Sequence, residues 1–136
     1  MTDMQYLGQE RRKFPRLRVH LAVIYQVNKP LTVRMQIGDR EIMATTLDLS
    51  EGGMAISADY DIPLKTNLMI KFSLFKVNDS GHASFYGPME IIGEVRSNKL
   101  LEKDIHRLGI CFIHIEEKDK KEIVEFVKSI KIGNEK

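Results

Sequence analysis

Tryptophan is absent from these 136 residues, cysteine occurs once, and aromatic side chains make up only 7%. A single cysteine, Cys111, rules out an internal disulfide. That fits a reducing compartment and sets the expectation of a cytoplasmic protein. So few aromatics, most of them in apolar alternation, argue against a barrel for single-stranded nucleic acid, which stacks bases on exposed rings beside a basic groove. No stretch is apolar for long enough to span a bilayer, so no membrane insertion is expected. Residues 1–9 lack the basic, apolar and small regions of a signal peptide. No phosphate-binding loop or nucleophile–base pairing stands out, so an enzyme is not expected. The four histidines form no metal site: His106 and His114, on one predicted strand, are about 26 Å apart. No cofactor and no metal are called for.

What remains is the profile of one globular domain, 43% apolar and 29% charged, with a net charge of +2. The distribution of charge is uneven. Residues 10–18 hold Arg11, Arg12, Lys13, Arg16 and Arg18 against Glu10 alone, a local +4, and the rest of the chain is −2. A protein that coats a long polyanion spreads its basic residues along a face. Here they sit in one short arm, which favours a small anion over a nucleic acid polymer.

Hydrophobic alternation marks strands. Val19, Leu21, Val23, Tyr25 and Val27 share one face. Leu31, Val33, Met35 and Ile37 read as a second strand, with Gly38-Asp39 turning into a return strand from Arg40 to Leu49; Asn28–Arg40 is thus expected to be an extended hairpin. Further strands are expected at 54–57, 68–74, 89–96 and 105–115. Val77 to Gly87 reads as loop, Ser97 to Asp104 as a charged connection, and Gly93 as a bulge or barrel corner. The period then changes to that of a helix, with Ile123, Phe126, Val127 and Ile130 on one stripe and Asp119 and Glu122 as a capping pair. Cys111 is expected to be a packed core thiol. The result is a mainly β fold: a small antiparallel barrel with a helix over its open end or seam.

Two stretches carry chemistry. Arg12 and Arg16 span about 13 Å in an extended arm, and arginine grips phosphate or the guanine O6/N7 edge through two donors, which lysine cannot do. The alternative is a solvated basic tail, or arginines stacked on their own barrel. Asp48-x-Ser50-x-x-Gly53 offers an acceptor for guanine N–H groups, a hydroxyl for sugar, phosphate or base, and, at Gly52 and Gly53, room for close backbone approach. The alternative is a turn held by its own side chains.

The two stretches together, followed by the Leu108-Gly109-Ile110-Cys111-Phe112 strand and an amphipathic helix, resemble the PilZ domain family, receptors for bacterial cyclic di-GMP. Both signatures are intact: R-x-x-x-R as Arg12 to Arg16, and D/N-x-S-x-x-G as Asp48 to Gly53. The resemblance covers residues 10 to 130. It departs at Asn28–Arg40, which looks inserted. It implies a six-stranded antiparallel barrel with a C-terminal α-helix and a mobile N-terminal arm that folds over the ligand. The organisation expected is a flexible tail at 1–10 and one domain at 11–132, with the arm at 11–18, the barrel at 19–115 and the helix at 119–131. It further implies that Arg12 and Arg16 hold phosphate and guanine while Asp48, Ser50, Gly52 and Gly53 enclose the other side of a base. Arg11, directly before the motif, resembles members that bind two intercalated cyclic di-GMP molecules per chain; a merely solvated Arg11 stays open. With no second domain in 136 residues, the partner expected to receive the signal is another protein, with the chain a monomer or homodimer. A PilZ-like module acting through protein contacts without ligand is the rival.

Overall fold

The computed structural model describes residues 17–77 and 79–134, with side chains described for 21–77 and 79–130. Six strands and two helices follow one another: β1 (Leu17–Lys29), α1 (Leu31–Ile37), β2 (Ile42–Ser50), β3 (Gly53–Ala58), β4 (Asn67–Val77), β5 (Ala83–Glu102), β6 (Ile105–His114) and α2 (Glu117–Asn134). All strand pairs are antiparallel, and the order β1-β2-β3-β6-β5-β4 closes on itself as a barrel.

Alternation sets the interior. Val23, Tyr25 and Val27 of β1, Leu68, Ile70, Phe72 and Leu74 of β4, Met89, Ile91 and Val95 of β5, and Leu108 and Ile110 of β6 are all buried in one core. On α2 the stripe Ile123, Phe126 and Val127 joins that core. The Phe126 ring meets Tyr86 of β5 edge-on, with centroids 5.7 Å apart. The Gly87 N–H also donates to Glu122 Oε1 at 2.9 Å. The helix therefore packs against the barrel through apolar area and a polar tie.

Four expectations need correction. The strand expected at Leu31–Ile37 is the helix α1, so Asn28–Arg40 is not a hairpin. The apolar residues at 31, 33, 35 and 37 alternate, but 33 and 37 also stand i, i+4. The helix uses that second relation: Val33 is buried and Ile37 packs on the core, while Leu31 and Met35 are exposed. Gly38, at φ 107°, ends it by donating its N–H to the Arg34 carbonyl at 2.8 Å. Asp39 then accepts from Arg34 at 2.8 Å and Gln26 at 2.7 Å, which fixes the following turn.

The segment expected to be a charged connection at Ser97–Asp104 is strand as far as Glu102. It pairs with β6 through Ser97↔Gly109, Lys99↔Arg107 and Leu100↔His106. The segment read as loop at Val77–Gly87 is mostly hairpin: β4 ends at Val77 and β5 begins at Ala83. Both stretches lack buried apolar residues at every second position because they carry sheet beyond the core. Cys111 is half-buried rather than a core thiol. It neighbours the core residue Ile110 in sequence and so faces outward. Gly93 does mark a corner, since the β5–β6 register shifts between Ile92 and Gly93.

Candidate functional site

The site is set by an irregularity in β2. Register between β2 and β3 shifts from Thr46↔Ile56 to Asp48↔Ala55, which places one extra residue in β2. Beyond that shift Leu49 and Met54 are the core pair. Their neighbours Asp48 and Ser50 therefore turn to the outer face, because successive strand residues point to opposite sides. Both remain shielded there, with Asp48 6% and Ser50 4% exposed.

Residues 51 and 52 make a tight turn between β2 and β3. The Gly52 N–H donates to Ser50 Oγ at 3.3 Å, and the Ser50 hydroxyl donates to the Gly53 carbonyl at 3.4 Å. These are long, weak bonds. The Phe112 N–H donates to the Gly52 carbonyl at 3.0 Å, tying the turn to β6. Gly53 has a packing reason to be glycine: an added Cβ would sit 2.2 Å from the Ile110 carbonyl oxygen. Among the described residues, the glycines with positive φ are Gly38, Gly81 and Gly87, so Gly52 and Gly53 are not kept for a left-handed conformation.

Asp48 does not stand alone. Arg107 of β6 donates from Nη2 to Asp48 Oδ2 at 2.7 Å, an ion pair across β3. The pairings Asp48↔Ala55, Ala55↔Gly109 and Gly109↔Ser97 make one row around the outer face. Its middle members are small, which leaves room above the sheet. Arg107 was not singled out in the sequence. The only signal was parity, since it is two residues before Gly109 and hence on the same face; relating that face to Asp48 needs the β2–β3–β6 register.

Beside the turn lies a pocket of about 510 Å³, where Glu51 faces Lys120, Lys121, Glu125 and Lys128 of α2. With Glu117 also in the lining, its three lysines are matched by three glutamates, so its charge is balanced. Arg11, Arg12 and Arg16 lie outside the described residues, as do the tail and most of the arm. Leu17, to which Arg16 is joined, pairs with Leu49, and Arg18 pairs with Asp48.

A family model described as "PilZ domain" matches residues 10–129. The chain belongs to the PilZ domain family. Solved structures, one of them described as a PilZ domain, share its fold. The Bacillus subtilis inhibitor of motility, MotI/DgrA, superposes with a TM-score of 0.68 at 16% identity, over 93% of this chain and 54% of that one. The PilZ domain of YcgR from Escherichia coli, solved with c-di-GMP, gives 0.59 at 13% identity over 91% and 94%. MrkH of K. pneumonia, in complex with c-di-GMP, gives 0.61 at 15% identity over 93% and 54%. This PilZ chain thus spans about half the length of the MotI/DgrA and MrkH chains. No curated protein matches it in sequence. Among the described residues no helix is long and apolar enough to cross a membrane, and no group of three or more His, Cys, Asp and Glu is arranged to hold a metal.

Proposed function

We propose that this PilZ chain is a receptor for cyclic di-GMP, taken between an arginine arm (Arg11, Arg12, Arg16) and the corner formed by Asp48, Ser50, Gly52 and Gly53. The observation that carries the reading is the pairing of Leu17 with Leu49. Arg16 is bonded to Leu17 and Asp48 to Leu49, with consecutive Cα atoms about 3.8 Å apart. An arm and an acid attached this closely are within reach of one ligand. The solved complexes of YcgR and MrkH with c-di-GMP, on the same fold, add support.

The chemistry is complementary. Asp48 accepts from guanine N–H groups, Ser50 bonds to sugar or base, and the arginines grip phosphate and the O6/N7 edge. The ligand draws residues 9–18 over the barrel. Ordering an arm costs roughly 1–2 kcal/mol per residue, which several charge-assisted bonds at about 1.5–3 kcal/mol each offset. The closed arm presents a new surface, and a protein partner reads it. The role is that of a receptor and adaptor rather than an enzyme.

Isothermal calorimetry with cyclic di-GMP tests this. Micromolar or tighter binding that disappears in Arg12→Ala or Arg16→Ala supports the reading. Absence of heat at high ligand concentration overturns it and leaves the ligand-free interaction module.

A further inference from the structure

Beside the row that holds Asp48 runs a second row with two cations and no acid. Thr45 pairs with Ser57, Ser57 with Arg107, and Arg107 with Lys99. Ser57, Arg107 and Lys99 stand two residues from Ala55, Gly109 and Ser97 of the Asp48 row, with no register shift between. They therefore share its outward face. The second row crosses β2, β3, β6 and β5 at about 4.8 Å per strand. It offers two hydroxyls, a guanidinium and an ammonium.

The two cations are held differently. Asp48 Oδ2 takes Nη2 of Arg107 at 2.7 Å, which draws the guanidinium across β3 toward the motif. Nothing further is asked of Asp48, whose Oδ1 is buried. A guanidinium has five N–H donors in a rigid fork, and that bond is the one the Arg107 side chain makes among the described residues. The side chain is 32% exposed, so the other donors have an opening to solvent. Lys99 is exposed and makes no ion pair among the described residues. Arginine meets phosphate through two parallel N–H bonds, and lysine meets it as a mobile point charge. We propose that Arg107 and Lys99, with the Ser57 hydroxyl, bind a phosphodiester of the cyclic dinucleotide on the barrel itself. This rests on the reading of the chain as a cyclic di-GMP receptor and gives that site an anion contact which the arm does not carry. One phosphate is held on paired strands, and the arm closes on what remains of the ligand.

The test titrates cyclic di-GMP into the wild-type chain, Lys99→Gln, Lys99→Arg and Arg107→Lys by calorimetry, and records phosphorus NMR of the bound ligand. Lys99→Gln removes the charge at an exposed position and keeps most of the side-chain length. It should weaken binding roughly 3-fold, the size of an exposed ion pair, and Lys99→Arg should restore it. One bound phosphorus signal should be displaced in Lys99→Gln while the others stay. If none is displaced, the site is overturned whatever the affinity does, because a distant charge can change affinity without touching a phosphate. Arg107→Lys keeps a charge and loses the fork, and it should weaken binding roughly 10-fold. Wild-type affinity in Arg107→Lys removes Arg107 from the site. If Arg107→Lys does not fold, the phosphorus spectrum of Lys99→Gln decides alone. A wild type that does not bind cyclic di-GMP refutes the receptor reading itself, a result distinct from binding that is indifferent to Lys99.

Discussion

A methyl group on Gly53 would lie 2.2 Å from the carbonyl oxygen of Ile110. Gly53 thus stands where the β6 backbone leaves no room for a side chain, and backbone atoms do not yield as the tip of a side chain does. Gly53→Ala should destabilise the fold by about 1–3 kcal/mol, as overpacking does. Thermal melting checks this. An unchanged Tm would mean that the strands part at no cost, and the last glycine of the motif would then have only a ligand-related reason.

Under the proposed receptor reading, Arg11 bears on how many ligands the chain takes. If two stacked ligands occupy the site, Arg11→Ala should lower the calorimetric ratio from two toward one while binding persists. An unaltered ratio assigns Arg11 to solvent.

Tyr25 should respond to alkali. Burial, with the nearby Tyr60 and Asp59 adding and Arg40 opposing, pushes its phenol from 10.0 up to about 12. The folded state therefore holds this proton more tightly than the unfolded chain does. The stabilisation is complete below pH 10 and is lost as pH climbs to about 12. The hydroxyl has no hydrogen-bond partner among the described residues. Tyr25→Phe should accordingly be neutral or stabilising by up to about 1 kcal/mol at pH 7. It should also flatten the alkaline decline, as read by denaturant melts across pH.

Asp119 carries the acid counterpart. Burial raises its pKa above 3.8, with Glu116 and Glu122 adding and Lys118 opposing. A raised carboxyl pKa means the folded state favours the protonated form, so its stabilisation is present at acid pH and fades as pH rises through the folded value. Asp119→Asn should raise Tm at pH 7, and the gain should disappear below about pH 4, where the unfolded carboxyl also protonates. A Tm that drops at pH 7 would show Asp119 to be serving the first turn of α2 as an acceptor instead.

Phe126→Ala removes a ring that is 3% exposed and set edge-on to Tyr86. A loss of about 3–5 kcal/mol is expected from the cavity. A loss below 1 kcal/mol would mean that α2 is an appendage rather than part of the core.

The fold was legible where one face of an element is buried. Val23, Tyr25 and Val27, or Ile123, Phe126 and Val127, show their period because burial demands it. It was illegible where two periods share the same residues, as Val33 and Ile37 do in α1. It was equally hidden where a strand has little core to cover, as at Ser97–Glu102. Of the candidate site, Asp48 and Ser50 stand on one face of one strand end as their spacing implies. Gly53 owes its identity at least in part to β6, which no local spacing records. Arg107 depends on register across three strands, 59 residues from Asp48, and a lone arginine in a strand carries no mark of its partner.

β5 is one continuous strand of 20 residues, and only Ile92, Gly93 and Glu94 pair with β4 and β6 at once. On one side of that junction the hairpin carries the stacked and largely exposed Phe75 and Phe85; on the other lies the segment facing β6 and Arg107. A twist applied at the aromatic tip therefore has a covalent axle to the strand segment beside Arg107. Whatever grips those rings gains leverage on the face that carries the Asp48–Arg107 pair without touching it.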